Sequence, residues 1–211
     1  DGHATQQGAN VGDCLYKDIS GPEGTPDGVI DAYDQTVLGS GLPKVNFGLS
    51  THLEYKGFDL NISTYGVLNY HVSDDIYNSL NSCYGYGNKE VGMLDANRWS
   101  EDGSTYLSSV PRTYAANNAT LAWNDLFSSR KIQNAAYWKI ANVELGYNFP
   151  DKWFGGYVNG VRLYVSAQNL YTFTGYHGYN VDYAGGTFTP GYNFCSFPSA
   201  RTFMCGLHFT F

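Results

Sequence analysis

Between Lys44 and Tyr55 the chain alternates. Val45, Phe47, Leu49, Leu53 and Tyr55 fall on one side of an extended backbone, and Lys44, Asn46, Ser50, His52 and Glu54 on the other, the period-2 signature of a strand with one apolar face. Lys56-Gly57 supplies a two-residue turn, with the glycine free to take positive φ. Alternation resumes over 58–71, where Phe58, Leu60, Ile62 and Leu68 oppose Asp59, Asn61, Ser63 and Asn69. It returns at 137–149, with Val143, Leu145, Tyr147 and Phe149 against Asn142, Glu144 and Asn148, and at 160–173, with Val161, Leu163, Val165 and Ala167 against Arg162, Ser166 and Gln168. A fifth run, 200–211, sets Phe203, Cys205, Leu207, Phe209 and Phe211 against Thr202, Met204, Gly206, His208 and Thr210. It carries its pattern to the last residue, where most soluble domains end in a few loosely held polar residues.

The connections alternate as strictly as the strands. Long segments (1–43, 72–135, 174–199) separate hairpins 44–71 and 136–173 and the terminal strand 200–211, while Lys56-Gly57 and Pro150 to Asn159 are short. Within the long central segment, 91–99 predicts a short helix. The strands exceed the usual length of about 5–6 residues and suffice to cross a bilayer when tilted. Short turns at one end and long loops at the other are the asymmetry of an outer-membrane barrel. Aromatics collect where its interface girdles lie: Tyr55, Phe58, Tyr147, Phe149, Trp153, Phe154 and Phe211 at the short-turn end, and Tyr70, Tyr137, Trp138, Tyr171, Phe173 and Tyr176 at the long-loop end. The fold class predicted is all-β, about five long antiparallel strands of a large transmembrane barrel. The alternative is a soluble secreted β-sandwich whose apolar faces pack on each other, acting as a carbohydrate-binding module.

Composition narrows the function. A net charge of −7 speaks against a nucleic-acid surface. No stretch approaches 18 consecutive apolar residues, which excludes a transmembrane helix but not a barrel strand. The opening Asp1-Gly2-His3-Ala4 is polar and unlike a signal peptide. Cys14, Cys83, Cys195 and Cys205 lack metal-ligand spacing and read as isolated thiols or as disulfides between loops. The histidines at 3, 52, 71, 177 and 208 are scattered. Glu90, Asp95, Glu101 and Asp102 sit in a loop with nothing to fix their geometry. No HExxH or nucleophile elbow is present, so the chain does not read as an enzyme, and no cofactor is required. One acidic segment stands apart. Asp18, Ser20, Asp27, Asp31 and Asp34, with Gly28 and Ile30, follow the spacing of a calcium loop of hard oxygens, although Pro22-Glu23-Gly24-Thr25-Pro26 is inserted within it. The alternative is a solvated acidic turn. Loop aromatics (Tyr84, Tyr86, Trp99, Tyr106, Tyr114, Trp123, Tyr176, Tyr179, Tyr183, Tyr192) suit sugar recognition, a protein lid, or packing of the loops on themselves.

Several stretches resemble the C-terminal part of the SusC/RagA family of TonB-dependent outer-membrane transporters of Bacteroidetes. In chain order they are GDCLYKDISG (12–21) with DGVIDAYDQTVLG (27–39), PKVNFGLS (43–50) with YKGFDL (55–60), NRWS (97–100) with VPR (110–112), AYWKIANVELGYNFP (136–150), VRLYVSAQNLYTFTGYHGY (161–179) and FPSARTFMCGLHFTF (197–211). The resemblance implies a place in the outer membrane and a role in importing oligosaccharides, less often peptides. It implies a SusD-like surface lipoprotein as lid, TonB acting through a plug domain, and lipid around the strands. It gives the terminal strand a purpose: Gly206, Phe209 and Phe211 resemble the signal read by barrel-assembly machinery, and a last strand that pairs to close a barrel has no use for a tail. Five strands cannot close around a plugged lumen, so the plug and the remaining strands are expected elsewhere. Segments 1–43, 72–135 and 174–199 are then extracellular loops.

Overall fold

The computed structural model describes residues 4–83, 88–92, 99, 110–113, 122–154, 160–182, 186 and 188–210. Five strands form one antiparallel sheet in the order β1 (Val45–Tyr55), β2 (Phe58–Leu68), β5 (Tyr137–Phe149), β6 (Gly160–Thr174), β8 (Thr202–Thr210). Each alternating run of the sequence becomes one of these strands, and every neighbour in the sheet is the next long strand along the chain. The β1–β2 register follows from the turn, where Lys56 and Gly57 both take positive φ and pair Tyr55 with Phe58.

One face is apolar and stands open. Leu49 is 63% exposed and Phe203 69%, with Leu53, Phe58, Leu145, Val165, Leu207 and Phe209 also exposed. A sandwich would bury such a face under a second sheet. Among the described residues no second sheet covers it, and the sandwich alternative falls. Aromatic contacts line both ends of this face. Phe58, Tyr147, Phe149 and Trp153 make a chain of rings 4.6, 4.9 and 5.9 Å apart at the short-turn end. At the other end Trp138 stacks on Phe173 at 5.3 Å, and Tyr171 meets Phe173 at 4.6 Å. The strand from Trp138 to Phe149 spans about 25 Å of height at a tilt of about 45°, the height of a barrel's apolar band.

The ladder contains an irregularity that strict alternation does not predict. Where β2 advances one residue, from Ser63 to Thr64, β5 advances two, from Asn142 to Ile140, and β6 three, from Gln168 to Tyr171. The extra residue in β5, Ala141, reverses the parity of that strand. Beyond it Trp138 and Ile140 lie on the apolar face, while Tyr137 and Lys139 turn to the polar one. Asn169 takes φ 52° in the β6 excess, a conformation asparagine tolerates better than most residues, and its amide donates to Ala200 O at 2.9 Å. Bulges of this kind re-aim side chains.

β2 also ends earlier than its sequence pattern, at Leu68. Asn69, at φ 53°, turns the chain, and β3 (His71–Asp74) leaves the large sheet to pair with β4 (Gln133–Asn134) and, in parallel, with β7 (Tyr192–Asn193). This small sheet carries the main buried cluster, Tyr70, Val72, Ala135, Tyr176 and Val181, against which Val67 and Tyr137 pack. Tyr70, Tyr137 and Tyr176 are therefore core residues and not girdle residues, because the reversed parity and the early turn take them off the apolar face.

Residues 39–74 and 133–211 make up this unit; residues 1–38 and 75–132 form another. Its described elements include α1 (Asp75–Leu80) and short 3-10 turns at Ala32–Asp34, Ala122–Asp125 and Ser129–Lys131. Residues 91 and 92 are helical; most of the helix expected over 91–99 lies outside the described residues.

Candidate functional site

The polar face of the sheet has its own charge arrangement. Period 2 along β2 sets Asp59, Asn61, Ser63 and Tyr65 on it. At the short-turn end Arg162 of β6 reaches across β5. Its Nε donates to Asp59 Oδ1 at 3.1 Å, and its second nitrogen donates to Asp59 Oδ2 and, at 2.7 Å, to Glu144 Oε1. Asn148 adds a donor to Asp59 at 3.1 Å. Asp59 is only 4% exposed, so this pairing is what makes its burial tolerable. The pair passes over Gly146, where a Cβ would lie 2.5 Å from Asp59 Oδ1 and 2.6 Å from the guanidinium; only glycine leaves that space. The Arg162 guanidinium also sits 5.2 Å from the Tyr164 ring. Beside the network lies an open groove of about 580 Å³, lined by Asn142, Glu144, Arg162, Tyr164, Ser166, Gln168, Met204 and His208. On β1, His52 contacts Glu54 at 3.0 Å and Asn61.

Of the residues expected to form the assembly signal, Gly206 pairs directly with Tyr164, whose ring covers the space a side chain would fill, 2.6 Å from an added Cβ. Phe209 is on the apolar face opposite Val161, and Phe211 lies outside the described residues.

At the long-loop end of the polar face Lys139 forms an ion pair with Asp182 from the 174–199 segment, and Tyr65 OH approaches the same carboxylate at 3.4 Å. Tyr176 OH donates to Asp74, and Asn193 donates to Asp74 at 3.0 Å and to Tyr176 at 2.8 Å. Burial, and then the Asp74 carboxylate, push the Tyr176 phenol well above its usual range.

In the other unit the acidic segment folds as a turn stitched by its own amides. Asp34 accepts from Ile19 at 2.7 Å, Ser20 at 3.1 Å and Asp31 at 2.9 Å, and Asp31 caps the 3-10 turn through Tyr33 N at 2.8 Å. Asp18 accepts from Gly28 and Asp27 from Val29. The amides of Asp31, Ile19 and Ser20 hold the Asp34 carboxyl below the usual carboxylate range. Ser20 Oγ donates to Gly21 O at 3.4 Å, and Pro22 to Pro26 stand exposed. The donor set suits a hard cation, being all oxygen. Among the described residues no three acidic, histidine or cysteine groups converge as metal ligands, yet Asp18 Oδ1 is buried with no hydrogen-bond partner.

Sequence reasoning left one cluster unassembled. Arg112 grips Asp13 through Nε at 2.7 Å and a second nitrogen at 3.3 Å, and Asn124 joins at 2.9 Å. Burial pushes the Asp13 carboxyl up, but these bonds and the Asn10 amide outweigh it and bring it below its usual value. Trp99 lies over Gly12, Tyr16 OH donates to Trp123 O at 2.6 Å, and the Trp123 indole donates to Gln7 O at 3.1 Å. Trp123 and Trp99 thus serve packing inside this unit. Glu90 accepts from Asn81 at 2.9 Å. Tyr84, Tyr86, Tyr106, Tyr114 and Tyr183, with Asp95, Glu101 and Asp102, lie outside the described residues. The four cysteines are unpaired.

No family model matches the chain. TonB-dependent receptor P3 of Formosa agariphila is 30% identical over the whole chain, which corresponds to 20% of that protein. TonB-dependent receptor SusC of Bacteroides thetaiotaomicron is 26% identical over 88% of the chain and 17% of its own length. The RagAB peptide importer in its closed-closed state superposes on 90% of the chain, and 20% of its own, with a TM-score of 0.71 at 23% identity. Over its length the chain is similar to a segment of SusC/RagA-type TonB-dependent receptors. It spans about a fifth of the length of the curated relatives it matches. In the receptor the sheet is a piece of barrel wall, left open at β1 and β8 because the neighbouring strands belong to the rest of the barrel. In a barrel of this kind the polar face, with the Arg162 network and groove, is the one that would line the lumen, and the apolar face the one that would meet lipid.

Proposed function

We propose that the chain is part of the wall and mouth of an active importer in the outer membrane, carrying oligosaccharides or peptides with a SusD-like lipoprotein over the loops and TonB acting through a plug. One observation carries this reading. The sheet keeps an exposed apolar face of barrel-band height between two sets of aromatic rings, and opposite it a continuous polar face. In water such a face would be a liability; in lipid it is the stable arrangement. The relatives' names support the transport role, and a structure of the same fold is a peptide importer. The test is fractionation of cells that make the native polypeptide containing this chain, with detergent extraction and affinity capture. The expected result is a heat-modifiable outer-membrane protein several times larger than 23.3 kDa that brings a lipoprotein with it. A detergent-free soluble protein near 23.3 kDa would refute the reading.

For the acidic turn, the unspent buried oxygen of Asp18 supports calcium as a ligand, with Asp18 and Asp34 as its carboxylates. Calcium should then raise the melting temperature of the receptor, and Asp18→Asn should abolish the rise. No rise in the unsubstituted receptor would leave a turn held by its amides alone.

A further inference from the structure

The described parts of the 174–199 segment lie against the polar face of the sheet, the lumenal face on the barrel reading. Lys139 is on that face because the extra residue at Ala141 reverses the parity of β5. It pairs with Tyr65 across the ladder, is 3% exposed, and its ammonium lies 6.0 Å from the Tyr65 ring. Asp182, which pairs with it, is therefore also on the lumenal side. The return limb is held on the same side. β7 joins β3 in parallel, Ser73 N donates to Gly191 O at 2.7 Å, and Tyr176 and Val181 pack in the cluster with Val67 and Tyr137 of the wall. Gly41 and Gly191 meet backbone to backbone, with no room for a Cβ on either.

We propose that the described parts of this segment, 175–182 and 188–193, form a constriction strap across the mouth of the lumen, pinned by the Lys139–Asp182 pair, and that the pin limits the size of molecule that reaches the groove below. The proposal rests on the barrel reading. The pin is well suited to this work. A charge pair taken out of water holds while both partners are present and fails steeply when one is removed, and the neighbouring buried contact of Tyr176 with Asp74 and Asn193 gives the strap a second anchor.

The experiment uses the full receptor in cells, with Cys14, Cys83, Cys195 and Cys205 changed to serine and a reporter thiol at Gln168→Cys, which lines the groove and pairs with Asn142 and Thr202 in the sheet. Intact cells are labelled with a small maleimide and with a polyethylene-glycol maleimide several times larger. In the pinned receptor the small reagent should react readily and the large one slowly. Asp182→Asn should speed the large reagent at least about tenfold, the effect of some 1.4 kcal/mol on the opening equilibrium, and leave the small one unchanged. Exchanging the charges, Lys139→Asp with Asp182→Lys, should restore the slow rate. Tyr176→Phe, which keeps the ring and removes one hydroxyl, should give a smaller change in the same direction and serves if Asp182→Asn does not fold. Equal rates for the large reagent with and without the pin overturn the strap. Failure of the charge exchange to restore the slow rate overturns the pin. Absence of the unsubstituted receptor from the outer-membrane fraction overturns the barrel reading, and the strap with it.

Discussion

Leu145→Arg and Asn142→Arg place the same charge on one strand but on opposite faces. Leu145 lies between Leu60 and Val165 on the apolar face and is 44% exposed. It is four residues from Phe149, which at about 3.4 Å per residue and a tilt of about 45° sets it roughly 10 Å from the girdle, just short of the middle of a band about 25 Å tall. Arginine at a bilayer midplane costs about 2–4 kcal/mol, falling to about 0–1 near the interfaces, so Leu145→Arg should cost about 2–3 kcal/mol. Asn142 lines the groove with Glu144 nearby, and arginine there should cost less than about 1 kcal/mol. The assay is reversible urea unfolding of the full receptor in phospholipid vesicles, followed by tryptophan fluorescence. An Asn142→Arg cost equal to or above that of Leu145→Arg would refute the face assignment, and with it the direction in which the strap folds.

Arg162→Met should destabilise the receptor by about 2–3 kcal/mol in the same assay, below the usual cost of breaking a fully buried pair because Arg162 keeps some solvent contact; adding Asp59→Asn and Glu144→Gln should recover much of the loss, and a triple variant as unstable as the single one would show that the network is not the cause. Gly206→Ala should cost about 1–3 kcal/mol by displacing the Tyr164 ring, and the loss should be clearly non-additive with Tyr164→Ala; strict additivity would refute the contact. Because its amide bonds depress the folded-state value of Asp34, their contribution is fully present above the unfolded value of about 3.9 and disappears as pH falls through the lower folded value. Hydrogen exchange over 18–34 should therefore accelerate only on acidification below about pH 4, and Asp34→Asn should remove that dependence. A turn that loosens between pH 5 and 7 would contradict it.

The strands were legible because the side-chain period of two is a local property, imposed by the backbone on each residue in turn. All five long strands, and their neighbours in the sheet, follow from runs of alternation joined in order. The bulge had a readable trace as well: apolar residues occupy odd positions from Val143 to Phe149 but even ones at Trp138 and Ile140, so parity must change between them. The pairings of Asp13 with Arg112, of Lys139 with Asp182, and of Tyr176 with Asp74 were not legible, since their partners are separated by 99, 43 and 102 positions and no period links them. The five carboxylate and hydroxyl positions of the acidic segment were visible, but their amide bonds depend on how 18–34 folds back on itself. Alone, then, the sequence determined the strands, their order and the two contrasting faces, because each depends on near neighbours. Tertiary structure decided which tyrosines leave the girdle, which charge is turned inward and where the last long loop lies, because those outcomes depend on one extra residue in a ladder and on contacts that form only when distant segments meet.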